Sequence, residues 1–136
     1  MRYKGSCHCG KVTFTVEGDL SGGAVDCNCS ICARKGALLL VVPRNNLQLL
    51  SPETDLQKYT FNKHAIAHRF CRTCGVHPFA EDSAGTAERM AYVNIRCLQG
   101  VDLATIPVIA STDARCEFSR PREPAGRLAA TGAALS

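Results

Sequence analysis

The chain has 136 residues, a formal charge of +4, 46% hydrophobic and 6% aromatic content, and no tryptophan. One domain is the expectation, since domains most often hold about 100–150 residues. The basic excess is mild, with Arg115, Arg120, Arg122 and Arg127 near the C-terminus, and charge and aromatics are too sparse for a nucleic-acid reader.

Met1-Arg2-Tyr3-Lys4-Gly5 runs straight into cysteines with no apolar leader segment, and the longest apolar run, Ala37 to Pro43, is too short to span a bilayer. The expectation is a soluble, cytoplasmic protein with no membrane partner. In that reducing setting, closely spaced cysteines bind metals or act in catalysis more often than they form disulfides.

The first periodic segment is Lys11 to Val16, a strand with Val12, Phe14 and Val16 on one face and threonines on the other. Gly18 and Ser21-Gly22-Gly23 break it. A short helical turn, Ser30 to Lys35, follows Cys29. Leu38 to Val42, stopped by Pro43, reads as a buried strand, and Leu47 to Leu50 and Gln57 to Phe61 as two more, parted by Ser51-Pro52. Ala65 to Phe70 and Met90 to Ile95 are further strands, and Asp102 is placed to cap a brief turn through Ala104. Many short strands with Gly and Pro punctuation predict a mainly β domain of small sheets. From Ser119 onward Arg, Pro, Gly, Ala and Thr dominate, so the prediction is a domain over 1–118 and a mobile tail over 119–136.

Three cysteine clusters carry the chemistry. They are Cys7-His8-Cys9, Cys27-Asn28-Cys29-Ser30-Ile31-Cys32, and Cys71-Arg72-Thr73-Cys74 followed by Gly75. Zinc takes four tetrahedral ligands, with thiolate sulfur at about 2.3 Å. Two two-cysteine clusters complete a closed site of structural type, as in zinc ribbons. Three sulfurs from six consecutive residues leave a fourth position open, the mark of a catalytic ion. The predicted partition is therefore Cys7, Cys9, Cys71 and Cys74 against Cys27, Cys29 and Cys32, although spacing alone leaves other pairings open. A disulfide reading leaves an odd cysteine and strains the C-x-C pairs, and an iron–sulfur cluster lacks a fourth ligand.

Cys97 and Cys116 stand alone and read as small buried hydrophobes, with Cys97 also able to approach the open site from a strand end. His8, between two ligands, is expected to point away from them. His77 reads either as a packing and hydrogen-bonding residue or as a pocket group able to move a proton. His64 and His68 read as surface or strand residues. Arg34 and Lys35, just past Cys32, are either a solvated pair or a seat for the carboxylates of a ligand.

These clusters, together with Cys74-Gly75-Val76-His77-Pro78-Phe79 and Val93-Asn94-Ile95-Arg96-Cys97-Leu98, closely resemble the glutathione-dependent formaldehyde-activating enzyme family, whose domain is shared with centromere protein V. The resemblance covers about residues 3 to 110. It implies a zinc-stabilised β-tent fold of small packed antiparallel sheets, related to that of Rab-interacting exchange factors. It also implies two zinc ions per chain: a structural one at Cys7, Cys9, Cys71 and Cys74, and a second at Cys27, Cys29 and Cys32. Members usually continue to an aromatic-Asp-Gly element, where this chain has Ser111-Thr112-Asp113-Ala114-Arg115. The function implied is a carbon–sulfur lyase acting on a glutathione–aldehyde adduct such as S-(hydroxymethyl)glutathione. The rival class is a non-enzymatic zinc module for a protein or nucleic-acid partner.

Overall fold

The computed structural model describes residues 1–83 and 88–111. The expected tail over 119–136, Cys116 and most of the segment 111–115 lie outside the described residues. Among the described residues the architecture is mainly β, of the β-tent type expected, with one short α-helix.

Strands β1 (Arg2–Ser6), β2 (Thr13–Glu17) and β5 (Leu47–Leu49) form a three-stranded antiparallel sheet in the order β1-β2-β5. Seven more build the larger sheet: β3 (Ala24–Cys27), β4 (Leu39–Pro43), β6 (Leu56–Tyr59), β7 (Ile66–Cys71), β8 (Phe79–Asp82), β9 (Met90–Asn94) and β10 (Val108–Ser111). Their order is β10-β3-β4-β9-β8-β7-β6. One pair departs from the antiparallel expectation: β10 runs parallel to β3, with Val108 opposite Ala24. The helix α1 (Ser30–Lys35) falls where the sequence places it, and Asp102 caps a 3-10 turn over Leu103–Thr105 by accepting from the Ala104 amide at 3.0 Å.

The register gives the two faces of the large sheet different work, because side chains directly opposite across a ladder share a face. One row runs Leu40, Val93, Phe79, Arg69 across β4, β9, β8 and β7. It packs against the apolar stripe of Val12, just before β2, and Phe14 and Val16 of β2, in the main core. All three are fully buried, as their alternation predicts. Phe14 meets Phe79 edge to face at 6.0 Å, and fully burying each ring contributes about 1.5–3 kcal/mol. Gly5 is required here, since a Cβ would collide with the Phe14 ring.

At the rim of this face sits a buried charge network. Glu81 accepts from Arg44 Nε and Arg69 Nη1, each at 2.6 Å, and Arg69 also reaches Glu53 at 2.9 Å. Burial pushes the Glu81 carboxyl up, yet the two guanidiniums prevail and hold it below the usual carboxylate range. The opposite face carries the row Val41, Tyr92, Ala80, His68 and Tyr59, again from direct cross-strand partners. This second face is where the Cys27 cluster lies.

Candidate metal centres and the cleft beside them

Cys7 and Cys9 sit in the tight turn between β1 and β2, and Cys71 and Cys74 in the turn that ends β7. The two turns are shaped alike. In the first, the Cys7 amide donates to the Val12 carbonyl at 3.0 Å and the Val12 amide to Cys7 Sγ at 3.3 Å. In the second, the amides of Thr73 and Cys74 donate to Cys71 Sγ at 3.3 and 3.4 Å. Gly75 takes a φ of 80°, which lets the chain turn back without a Cβ clash, and its amide donates to the Cys71 carbonyl at 2.9 Å.

The four sulfurs converge to within 4.8 Å of one another, with Cys9 Sγ 3.6 Å from both Cys7 Sγ and Cys71 Sγ. Thiolates at 2.3 Å from one tetrahedral ion stand about 3.8 Å apart, so the spacing fits zinc. Burial opposes ionisation of Cys71 and Cys74. Even so, amides lower both thiols, and those of Val76 and Cys9 help bring Cys74 down to about 6. No disulfide joins the described cysteines. His8 is exposed between its two neighbours.

The second cluster is built locally. Cys27 ends β3, Cys29 is the N-cap of α1 and accepts from the Cys32 amide at 3.4 Å, and Cys32 lies in the first turn. Gly36 closes the helix in the left-handed conformation, its amide donating to the Cys32 carbonyl. All three cysteines are buried and their sulfurs lie within 4.8 Å of one another. Either cluster could hold a metal ion, and the donors of both are compatible with zinc.

Cys27 and Cys32 open onto a cleft on the second face of the large sheet, with enclosed room of about 20 Å³. Its polar lining is Lys35, His68 and His77. Lys35 follows Cys32 by three residues, hence on the same side of α1. Its ammonium sits 3.1 Å from His68 Nδ1 and 3.0 Å from His77 Nε2. His77 Nδ1 donates to the Arg69 carbonyl at 2.7 Å, so Nε2 is the bare nitrogen that accepts from Lys35. Burial, then the Lys35 charge, push the His77 imidazole down to about 3. In this geometry its Nε2 faces the Lys35 ammonium and its Nδ1 is held by the backbone.

The structure thus divides the Arg34–Lys35 pair. Lys35 lines the cleft, while Arg34 donates to the Ser30 carbonyl of its own helix in an exposed position. His68 is a strand residue, but buried in the cleft wall rather than on the surface; His64 is exposed, with a positive φ. Cys97 packs beside the first cluster rather than the second. Its thiol is pushed up to about 11 by burial and then by Cys7 and Cys74, and it donates to the His77 carbonyl at 3.7 Å. Sequence reasoning missed His68 and Tyr92 as cleft residues. The signal was present in alternation, since Ile66 and His68 point the same way along β7.

Residues 2–109 match the family described as glutathione-dependent formaldehyde-activating enzyme. The chain belongs to that family. A solved structure of a Rhodobacter sphaeroides protein is similar to this chain at 33% identity, with a TM-score of 0.67, covering 78% of this chain and 99% of its own. Among the described residues of this family member, no helix is long and apolar enough to cross a membrane.

Proposed function

We propose that this chain is a zinc-dependent lyase-type enzyme that makes or breaks the carbon–sulfur bond of a thiol–aldehyde adduct such as S-(hydroxymethyl)glutathione. The observation that carries the reading is the meeting of three buried sulfurs, Cys27, Cys29 and Cys32, at a cleft that also holds a lysine ammonium. Family membership supplies the substrate class, glutathione and an aldehyde. In this reading Cys7, Cys9, Cys71 and Cys74 hold a structural zinc, and Cys27, Cys29 and Cys32 a second one. The second ion, when bound, would hold the glutathione sulfur as a thiolate at neutral pH.

The chain's own residues do the rest. In the forward direction the sulfur lone pair forms the C–S bond, the carbonyl π pair moves to oxygen, and that oxygen takes a proton. Lys35 is the cation placed to meet the developing negative charge, and its two imidazole partners fix where the ammonium sits. Aliphatic residues around it exclude water and so strengthen that attraction. The exposed Arg34 remains available to a glutathione carboxylate at the rim. A reducing, intracellular compartment suits free thiols and a thiol substrate.

The test is Cys29→Ser, measured for metal content and adduct turnover. The variant should fold, lose one of two zinc ions, and lose activity by more than the roughly 10–100-fold that outer-shell changes cost at zinc sites. Full activity in this variant would sink the reading.

A further inference from the structure

A short stretch of chain joins the two cysteine clusters. Cys74 belongs to the first, and His77, three residues on, lines the cleft beside the second. Both ring nitrogens of His77 have partners: Nδ1 donates to the Arg69 carbonyl at 2.7 Å, and Nε2 stands 3.0 Å from the Lys35 ammonium. A side chain has few rotamers, so its ring can keep two such partners only if the main chain that carries it is fixed.

Asn94, the last residue of β9, and Cys97 just after it supply that fixing. Asn94 Nδ2 donates to the His77 carbonyl at 2.9 Å, and the Asn94 amide donates to the Pro78 carbonyl at 2.9 Å. Cys97 Sγ donates to the same His77 carbonyl at 3.7 Å and lies 3.7 Å from Asn94 Nδ2. The clamp is itself well anchored, because Val93 and Ile95 on either side of Asn94 are fully buried. Asn94 Oδ1 accepts from the Arg96 amide at 3.1 Å and so caps the 3-10 turn over Ile95–Cys97. With the oxygen committed to the cap, the nitrogen is the atom turned toward His77. Capping needs only the oxygen, and aspartate or serine would supply one as well. The donation to His77 is therefore a second job, and it is the one that only the amide does.

We propose that Asn94 is a positioning residue: together with Cys97 it pins the His77 main chain, and through the His77 ring it fixes where the Lys35 ammonium stands in the cleft. What Lys35 does there rests on the proposed function; the clamp rests on the hydrogen bonds alone. Lys35 meets a charge that develops during the reaction, so displacing it costs more in the transition state than in binding the thiol.

The experiment compares Asn94→Asp and Asn94→Ser with the parent, all zinc-loaded. Both variants keep an oxygen for the cap, but the aspartate cannot donate and the serine is too short to reach the His77 carbonyl. Each should lower kcat for S-(hydroxymethyl)glutathione formation about three- to tenfold, the worth of one neutral hydrogen bond, and leave KM for the thiol roughly unchanged. Added to Lys35→Met, the same substitutions should cost nothing further, because a residue that acts through Lys35 has nothing left to act on. In nitrogen-15 spectra the parent His77 should show one tautomer, protonated at Nδ1, and both variants a mixture of two. An unchanged His77 signal overturns the proposal, as does a loss of kcat that persists in full beside Lys35→Met. Failure of both variants to unfold cooperatively would make Asn94 a part of the fold instead, and overturns it too. A parent without turnover removes the lyase reading, and the His77 signal then decides the clamp by itself.

Discussion

The two cysteine clusters use the same ligand atoms and differ in almost everything else. The first is assembled from distant parts of the chain: two sulfurs come from the turn after β1 and two from the end of β7. It brings four donors, which saturates a tetrahedral ion, and amides from its own turns surround the sulfurs. The second comes from six consecutive residues, brings three donors, and lies against a cleft with a cation in it. One arrangement suits holding the fold together; the other suits holding something that comes and goes. Donor count and chain separation, rather than residue type, separate a cross-link from a reactive site.

The sharpest way to break this contrast is Cys71→Ser. Structural zinc sites in small peptides carry apparent binding energies of about 10–16 kcal/mol, comparable with the whole stability of a domain, about 5–15 kcal/mol. The variant should show no cooperative thermal transition by circular dichroism, whereas Cys29→Ser should keep one. Equal melting of the two variants would erase the distinction between the clusters.

A smaller effect is expected at Lys35. Hydrogen bonds involving a charged group are worth about 1.5–3 kcal/mol, so Lys35→Met should lower kcat/KM about ten- to a hundredfold. Both zinc ions should remain bound. Loss of metal in this variant would show Lys35 supporting the cluster rather than the reaction.

The smallest effect concerns acid stability. In the unfolded chain the His77 imidazole takes its proton near the ordinary value of 6.5, but in the fold only near 3. Between those values the unfolded chain binds more protons, so stability contributed above pH 6.5 is lost as pH falls toward 3. His77→Gln should give a shallower fall in melting temperature over pH 6.5 to 4 than the parent chain. An identical slope would mean that His77 is not the neutral seat of Lys35.

Much of this was legible before the fold. The β2 stripe, the stop at Pro43, the helix after Cys29 and the cap at Asp102 each rest on local chemistry, and local chemistry reads directly from sequence. Four strands did not read. β1 is polar with a glycine inside it, and its glycine serves the Phe14 ring of the next strand. β3 is four residues with no alternation, and β10 finds its place only by pairing with it. β8 carries Glu81 and Asp82, which look like surface residues until Arg44, Arg69 and Tyr92 are brought to them. At the site, the cysteine groups were legible because ligand spacing is short-range. The cleft was not, because its walls come from five strands whose register no local pattern reveals.

The parallel pairing of β10 with β3 sets an order on biosynthesis. Ser111 stands opposite Cys27, and Val108 opposite Ala24, so the strand that carries the first sulfur of the second cluster gains its outer neighbour last. Its inner neighbour β4 is likewise bordered by β9, made well after it. While the chain is still emerging from the ribosome, three thiols are already in solvent but the walled cleft around them does not yet exist. The sulfurs of the second cluster are thus made well before the strands that wall the cleft, and the cleft must wait for nearly the whole domain.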